Sequence, residues 1–257
     1  MKKTKEKNVL CIMTIWNEMD YLPLKVEYCK DNDLDIYIID NMSNDGSWEW
    51  LQKNNIPSHR FDTNESFDLR GLQNEMVRTL HLLKPYWVIY NGCDLFPISK
   101  NKLYDDIMEE DKKGFNILKM DLCGVFNTGE EHNEFNPFNT YFYCGNIKEH
   151  NKIHKYHPNV SYFADNVNLP SPKIGKIEGI MINYGNSKPA EEREATLKRR
   201  EKAWRNGEPR GHGIHYLRNK SLNWVRNKKD LIDLRNTKYS SLLKKLQIIG
   251  DKVLNDV

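Results

Sequence analysis

Residues 8–29, NVLCIMTIWNEMDYLPLKVEYC, and residues 35–51, DIYIIDNMSNDGSWEWL, decide the fold. Val9–Ile15 is a short apolar run of the kind that fills a strand buried on both faces. Tyr21–Lys30 then sets Leu22, Leu24, Val26 and Tyr28 in a segment of helical length, with Pro23 tolerated in the first turn. Asp35–Asp40 reads as a second buried strand. Ser47–Gln52 opens another helix, with Ser47 as its cap. Further on, His59–Phe61 is a short third strand. Leu69–Leu83 is amphipathic, with Leu72, Met76, Leu80 and Leu83 at helical spacing. Tyr86–Tyr90 is a fourth strand.

Strand and helix in alternation predict right-handed crossovers and a parallel sheet. In such sheets, ligands sit beyond the carboxyl ends of the strands. Three of those ends are polar here: Thr14–Glu18, Asp40–Gly46 and Asn91–Asp94. Residues 115–184 differ, with short aromatic-rich runs separated by Asn, Gly, Pro and His, and read as added strands and long loops. Residues 189–205 read as a strong helix, and Leu222–Leu254 as one or two basic amphipathic helices.

The chain has 257 residues, 39% of them hydrophobic, enough for a core without staples. No run approaches the roughly 20 apolar residues of a membrane span. The basic start breaks at Asn17-Glu18 and reads as a first strand, not a signal peptide. Five scattered cysteines without a Cys-x-x-Cys pair exclude a zinc ribbon and point to a reducing, cytoplasmic compartment. The charge is uneven. Residues 1–185 hold 21 Lys+Arg against 27 Asp+Glu, and residues 186–257 hold 18 against 9. The basic end is either a solvated helical face or a contact for an anionic surface, ligand or nucleic acid.

Asp40-Asn41-Met42-Ser43-Asn44-Asp45-Gly46-Ser47 places a carboxylate at a strand end, then a turn whose helix start offers free N–H groups. Together with Asn17-Glu18 after the first strand, this order and spacing resembles the N-terminal half of glycosyltransferase family 2. The resemblance covers residues 8 to about 100 and weakens beyond. It implies a GT-A fold: an α/β, Rossmann-like, mainly parallel sheet flanked by helices, here with a C-terminal helical extension. It divides the chain into a catalytic domain over 1–216, with a nucleotide-sugar half over about 8–100 and an acceptor half over 101–216, and a basic tail over 217–257.

The resemblance also implies a nucleotide-sugar donor at the strand ends. Asp40 would meet the nucleobase, Thr14, Asn17 and Glu18 would line the nucleoside pocket, and Asn41, Ser43 and Asp45 belong to the same site. Arg70, in the next helix, would face the diphosphate, where a guanidinium forms paired charge-assisted bonds. Otherwise it is a surface residue paired with Asp68 or Glu75.

Two departures stand out. Where the family carries Asp-x-Asp, this chain reads Asn91-Gly92-Cys93-Asp94. Mn or Mg prefers hard oxygen ligands. Asn91 offers only a neutral oxygen and Cys93 is a poor ligand, so metal binding is weakened and rests on Asp94. Related enzymes supply a late His in a His-Tyr context; Asn183 stands there, and His215-Tyr216 is the substitute metal ligand. Inversion, which the resemblance implies, needs a base for the acceptor hydroxyl. Asp165 ranks first, ahead of Asp121, Glu130, Glu131 and Glu178. His150, His154 and His157 have helical spacing, but Pro158 and polar surroundings speak against a zinc site. Phe135–Tyr143 is either sugar-stacking or sheet packing.

The expectation is therefore a glycosyltransferase acting on a glycan, lipid-linked or protein acceptor, with the basic tail near the inner face of a membrane. One rival is an inactive binding module, favoured by the lost metal ligands. Another is a nucleotidyltransferase, disfavoured because TIWNEMDYLP has no Gly, Lys or Arg. Nucleic-acid binding is not expected, because the tail has few aromatics to stack bases.

Overall fold

The structure is a computed structural model that describes residues 7–64, 68–126, 142–143, 145, 147–163, 166–185, 195, 198–199, 201–202 and 231–255. The first half runs β1 (Val9–Ile15), α1 (Leu22–Asp31), β2 (Asp35–Asp40), α2 (Ser47–Lys53), β3 (Ser58–Arg60), α3 (Leu69–Leu83) and β4 (Trp87–Tyr90). Then follow β5 (Leu95–Ser99), α4 (Leu103–Lys112), β6 (Ile117–Gly124), β7 (Phe142–Tyr143), β8 (Lys148–Lys155), β9 (Ser161–Phe163), β10 (Asn166–Asn168) and β11 (Ile174–Asn183). The chain closes with β12 (Ile232–Asp233), a 3-10 turn and α5 (Ser240–Asn255).

Eight strands form one sheet in the order β3-β2-β1-β4-β8-β6-β11-β5. β3, β2, β1 and β4 are mutually parallel. β8 runs against both β4 and β6, while β11 is parallel to β6 and antiparallel to β5. Six of the eight strands therefore point their carboxyl ends to one edge. This is the expected α/β class, a Rossmann-like, mixed and mainly parallel sheet flanked by helices.

The apolar run of β1 follows from its place at the centre. Val9, Cys11, Met13 and Ile15 face one core cluster, with residues of α1, α4 and α5. Leu10 and Ile12 face the other, with Met76 and Leu80 of α3. A strand covered on both faces cannot alternate apolar with polar residues.

The C-terminal segment departs from the expected run of helix. Ile232 and Asp233 pair with Tyr143 and Phe142 of β7. The Asp233 carboxylate then accepts from Arg235 N at 2.9 Å, a local turn bond that competes with helix. In α5, Leu243, Leu246 and Ile249 join the main core, so its apolar face is spent on packing. Two of its three cations are engaged too. Lys245 donates to the carbonyls of Ser99, Lys100 and Asn101, and Lys252 to Glu27. Among the described residues, no helix is long and apolar enough to cross a membrane.

The expected histidine group lies on a strand and its following turn. His154, in β8, is fully buried, with Nε2 at 2.7 Å from Tyr162 Oη and Nδ1 at 2.8 Å from the Lys155 carbonyl. Burial pushes its pKa down to about 4, only partly opposed by that carbonyl. A neutral imidazole therefore packs here, and no helical zinc site forms.

One carboxylate ties the layers at the amino ends of the strands. Asp111 in α4 meets Lys155 Nζ (2.5 Å), Tyr86 Oη (3.0 Å), Lys7 Nζ (3.2 Å) and Trp87 Nε1 (3.2 Å). Burial pushes its pKa up, but bonds from Lys155, Tyr86, Lys7 and Trp87 outweigh burial and hold it at about 2. A depressed carboxyl stabilises the fold above its unfolded value and loses that contribution as pH falls through the folded one. Asp111→Asn is expected to cost about 1–3 kcal/mol at neutral pH. It should also flatten the acid dependence of stability between pH 3.8 and about 2, read by urea denaturation across that range.

Candidate active site at the strand ends

Asp40 is the last residue of β2, and its side chain has no exposure. Register sets Arg60 of β3 beside it. Arg60 Nε donates to Asp40 Oδ2 at 3.0 Å, and Ser43 N donates to both carboxylate oxygens at 3.2 and 3.3 Å. Arg60 Nη2 also reaches the Ser43 carbonyl at 2.8 Å, and its guanidinium lies 5.0 Å from the Trp48 ring. Asp40 is thus a buried carboxylate with a partly exposed partner, and the turn closes around it.

The same turn is stitched to the end of β1. Asn17 N donates to Ser43 Oγ (2.9 Å), Glu18 N to Ser47 Oγ (3.2 Å) and Met19 N to Asp45 Oδ2 (3.0 Å). The Asn17 and Asn44 side chains exchange two further bonds of 2.9 Å. Gly46 precedes α2 with φ of +94°, a conformation open to glycine. Ser47, expected to cap α2, is its first residue; Asp45 Oδ1 accepts from Ser47 N instead, at 3.0 Å. The motif residues Asn17, Glu18, Asp40, Asn41, Ser43 and Asp45 are therefore brought together, and Thr14 stands half-buried one register pair before Ile15–Asp40. The Glu18 carbonyl also starts α1 by accepting from Tyr21 N and Leu22 N, both at 2.9 Å.

The Asn91–Asp94 turn is split. Asn91 is 3% exposed and turns into the core, where its amide donates to the Leu95 carbonyl (3.3 Å) and its oxygen meets the Cys11 thiol (3.5 Å). Cys93 is 1% exposed and packs in the same core. The Asn91 amide, expected to meet the donor, is engaged inside the sheet in this structure. Asp94 is half-buried, and among the described residues its carboxylate has no hydrogen-bond or ion-pair partner. Two glycines make room for it. A Cβ at Gly92 would lie 2.6 Å from Oδ1, and one at Gly185 would lie 2.4 Å from Oδ2. Tyr184 N holds the loop by donating to the Asp94 carbonyl at 2.9 Å. Asn183 Oδ1 shapes the neighbouring turn by accepting from Gly185 N at 2.8 Å.

These residues bear on the metal that the resemblance implies. Of the three positions in the Asn-x-Cys-Asp turn, two face the core. Among the described residues, no group of three or more His, Cys, Asp or Glu is placed to hold an ion. The turn offers a single carboxylate, Asp94, at the lower end of the one or two that hold Mg beside substrate phosphates. His215, like Asp165, Glu130 and Glu131, lies outside the described residues, as does most of Phe135–Tyr143.

Arg70 stands exposed in the first turn of α3, with no partner among the described residues. Its expected partners are taken: Asp68 caps α3 by accepting from Gly71 N (2.7 Å), and Glu75 binds Arg78 and His59. Asp121 is not a free base. It accepts from Tyr239 Oη (2.6 Å) and Lys176 Nζ (2.9 Å), fixing the start of α5 to β6. Glu178 is exposed in mid-strand, away from the carboxyl edge.

Four contributors went unread in the sequence. Arg60 was detectable from the β2–β3 register. Gly92 and Gly185 gave no local signal. Arg199 gave none either: its guanidinium lies 3.9 Å from the Trp16 ring centroid. With the Asn41 amide nitrogen on the Phe61 carbonyl (3.1 Å) and Thr63 Oγ1 (2.8 Å), its oxygen accepts from Arg199 Nη2 at 2.8 Å.

Comparison by sequence finds no matching family and no matching curated protein. Several solved structures share features of the fold at low similarity. The Staphylococcus aureus TarS 1-349 structure aligns with 96% of this chain and 88% of its own, at 13% identity and a TM-score of 0.43. A TarS structure aligns over 52% of this chain and 26% of its own, at 18% identity and a TM-score of 0.37, so this chain spans about a quarter of that relative. HddC of Yersinia pseudotuberculosis complexed with GMP-PN aligns over 75% of this chain and 99% of its own, at 12% identity and a TM-score of 0.42. At these scores, what those proteins bind is not transferred to this chain.

Two substitutions test the geometry. Arg60→Ala leaves Asp40 buried with only the Ser43 N–H bonds, and is expected to cost about 1–3 kcal/mol in denaturant titration. Gly185→Ala keeps the carboxylate but forces it to move; it should melt near wild type, within about 1 kcal/mol, while slowing the donor hydrolysis that Asp94→Asn removes.

Proposed function

We propose that the protein transfers a sugar from a nucleotide-diphosphate donor to an acceptor hydroxyl at the carboxyl edge of the sheet. One observation carries this reading: the Asp94 carboxylate, half-buried and without a partner among the described residues, is seated between two glycines at the same sheet edge as the stitched Asp40–Ser47 turn. A carboxylate held without a partner is available to take a proton. The nucleoside would rest on the β1 and β2 ends, among Thr14, Asn17 and Asn41, with Asp40 fixing the turn. Asp94 would then accept the acceptor hydroxyl proton. The acceptor oxygen bonds to the anomeric carbon as the bond to the diphosphate breaks, and its electron pair leaves on the phosphate oxygen. Arg70 would stabilise that developing charge, in general a large catalytic contribution. Asp165 remains an alternative base. The acceptor class, whether glycan, lipid-linked or protein, follows from the resemblance alone, as do inversion and any Mn or Mg requirement.

The inward-facing Asn91 and Cys93 favour a second reading, a nucleotide- or glycan-binding module without turnover. Thermal shift with a panel of nucleotide sugars, with and without Mn, separates the two when paired with a donor-hydrolysis assay. A ligand at 100 times its dissociation constant adds about 2.7 kcal/mol. A shift with one donor plus slow hydrolysis, lost in Asp94→Asn with the shift kept, supports the transferase. A shift without hydrolysis in wild type supports the module, and no shift from folded protein removes the donor site altogether.

A further inference from the structure

The resemblance sets the Asp40 carboxylate, a hydrogen-bond acceptor, before the nucleobase. The exposed group at that place is a donor. Asp40 is fully buried, and its oxygens are taken by Arg60 Nε at 3.0 Å and by Ser43 N at 3.2 and 3.3 Å. Its partner Arg60 keeps 32% of its side chain exposed, so the part of this pair open to a ligand is the guanidinium. Register puts Arg60, the last residue of β3, beside Asp40, the last of β2, on the carboxyl edge where open α/β sheets take ligands. Two of its nitrogens are engaged, Nε on Asp40 and Nη2 on the Ser43 carbonyl at 2.8 Å, while Nη1 has no partner among the described residues. Those two bonds and the Trp48 ring at 5.0 Å hold the guanidinium plane. A planar group fixed in this way keeps its free N–H edge in one direction and needs little ordering when a ligand arrives. Guanidinium N–H groups only donate. They pair with a base carbonyl, as with O6 of guanine, and O4 of uracil is an acceptor of the same kind. Against the amino group of cytosine or adenine, two donors would face each other and neither would be paired.

We propose that Arg60 is a specificity-determining residue of the donor site. Its free N–H edge reads a carbonyl oxygen of the base, so a uracil or guanine nucleotide binds and its cytosine or adenine counterpart is disfavoured. This selection rests on the donor-site reading above. The test is calorimetric titration with UDP, CDP, GDP and ADP, with and without Mn, on wild type, Arg60→Met and Arg60→Lys, each first checked for a cooperative melt. Wild type should bind UDP about tenfold or more tighter than CDP, or GDP about tenfold or more tighter than ADP, and the pair that shows the gap names the base. The matching 4-thio-UDP or 6-thio-GDP, in which sulfur replaces the oxygen, should bind more weakly than its parent. In Arg60→Met the preference should fall to within about threefold. Arg60→Lys, which keeps a cation for Asp40 and loses the planar edge, should do the same and serves where Arg60→Met does not melt cooperatively. A ratio of affinities taken within one folded variant is not moved by lost stability. No preference in wild type, a preference for CDP or ADP, a thio analogue that binds as its parent does, or a preference unchanged in either folded variant overturns the role of Arg60 and leaves the donor site standing. Folded wild type that binds none of the four nucleotides, with or without Mn, overturns both.

Discussion

A carboxylate with no access to water must find its compensation inside the protein, and Asp40 finds it in Arg60 and the Ser43 N–H. That one requirement fixes a good deal. It binds the end of β2 to β3, curls residues 40–43 back on themselves and leaves the Ser43 hydroxyl to receive the Asn17 N–H. The ends of β1 and β2 then become one rigid ledge. A ligand site built on such a ledge needs little rearrangement to bind, which lowers the ordering cost of association.

The interior of the sheet was legible because its physics is local. A strand covered on both faces has to be apolar throughout, and β1 and β2 read so. The amphipathic period of α3 announced its bounds, because one face sets Met76 and Leu80 against Leu10, Ile12 and Val88 while the other meets solvent. The motif turn was legible for the same reason: its bonds run between close neighbours in the chain or between adjacent strand ends. The direction of a side chain at a turn was not legible. Asn91 looks like a ligand in sequence, and only the packing of Cys11 and Leu95 shows that it faces inward. The placement of Arg199 against Trp16 likewise depends on a distant segment folding back across the edge, and no periodicity records that. The basic character of the tail was read correctly, but its chief use in the described residues is internal. Lys245 and Lys252 hold α5 to the body of the protein.

The buried Lys25 shows how firmly the opposite side of the Asp94 loop is held. Its ammonium donates to the Leu95 carbonyl and lies 4.7 Å from the Phe96 ring. Tyr21 Oη donates to the Tyr184 carbonyl at 3.2 Å, beside Gly185. α1 therefore anchors both backbone segments that flank Asp94. A loop fixed at both sides can afford an uncompensated half-buried carboxylate without collapsing onto it.

The far edge of the sheet has a consequence of another kind. An edge strand offers unpaired backbone groups to any other extended chain and is a template for aggregation. β5 occupies that position, and it carries Pro97, which has no N–H to give. Lys245 of α5 takes up the carbonyls of Ser99, Lys100 and Asn101 where the strand ends. At the opposite border, β3 is only three residues long. The sheet is thus blunted at both margins, by brevity on one side and by a proline and a lysine clasp on the other, which disfavours its growth by strand addition from a neighbouring molecule.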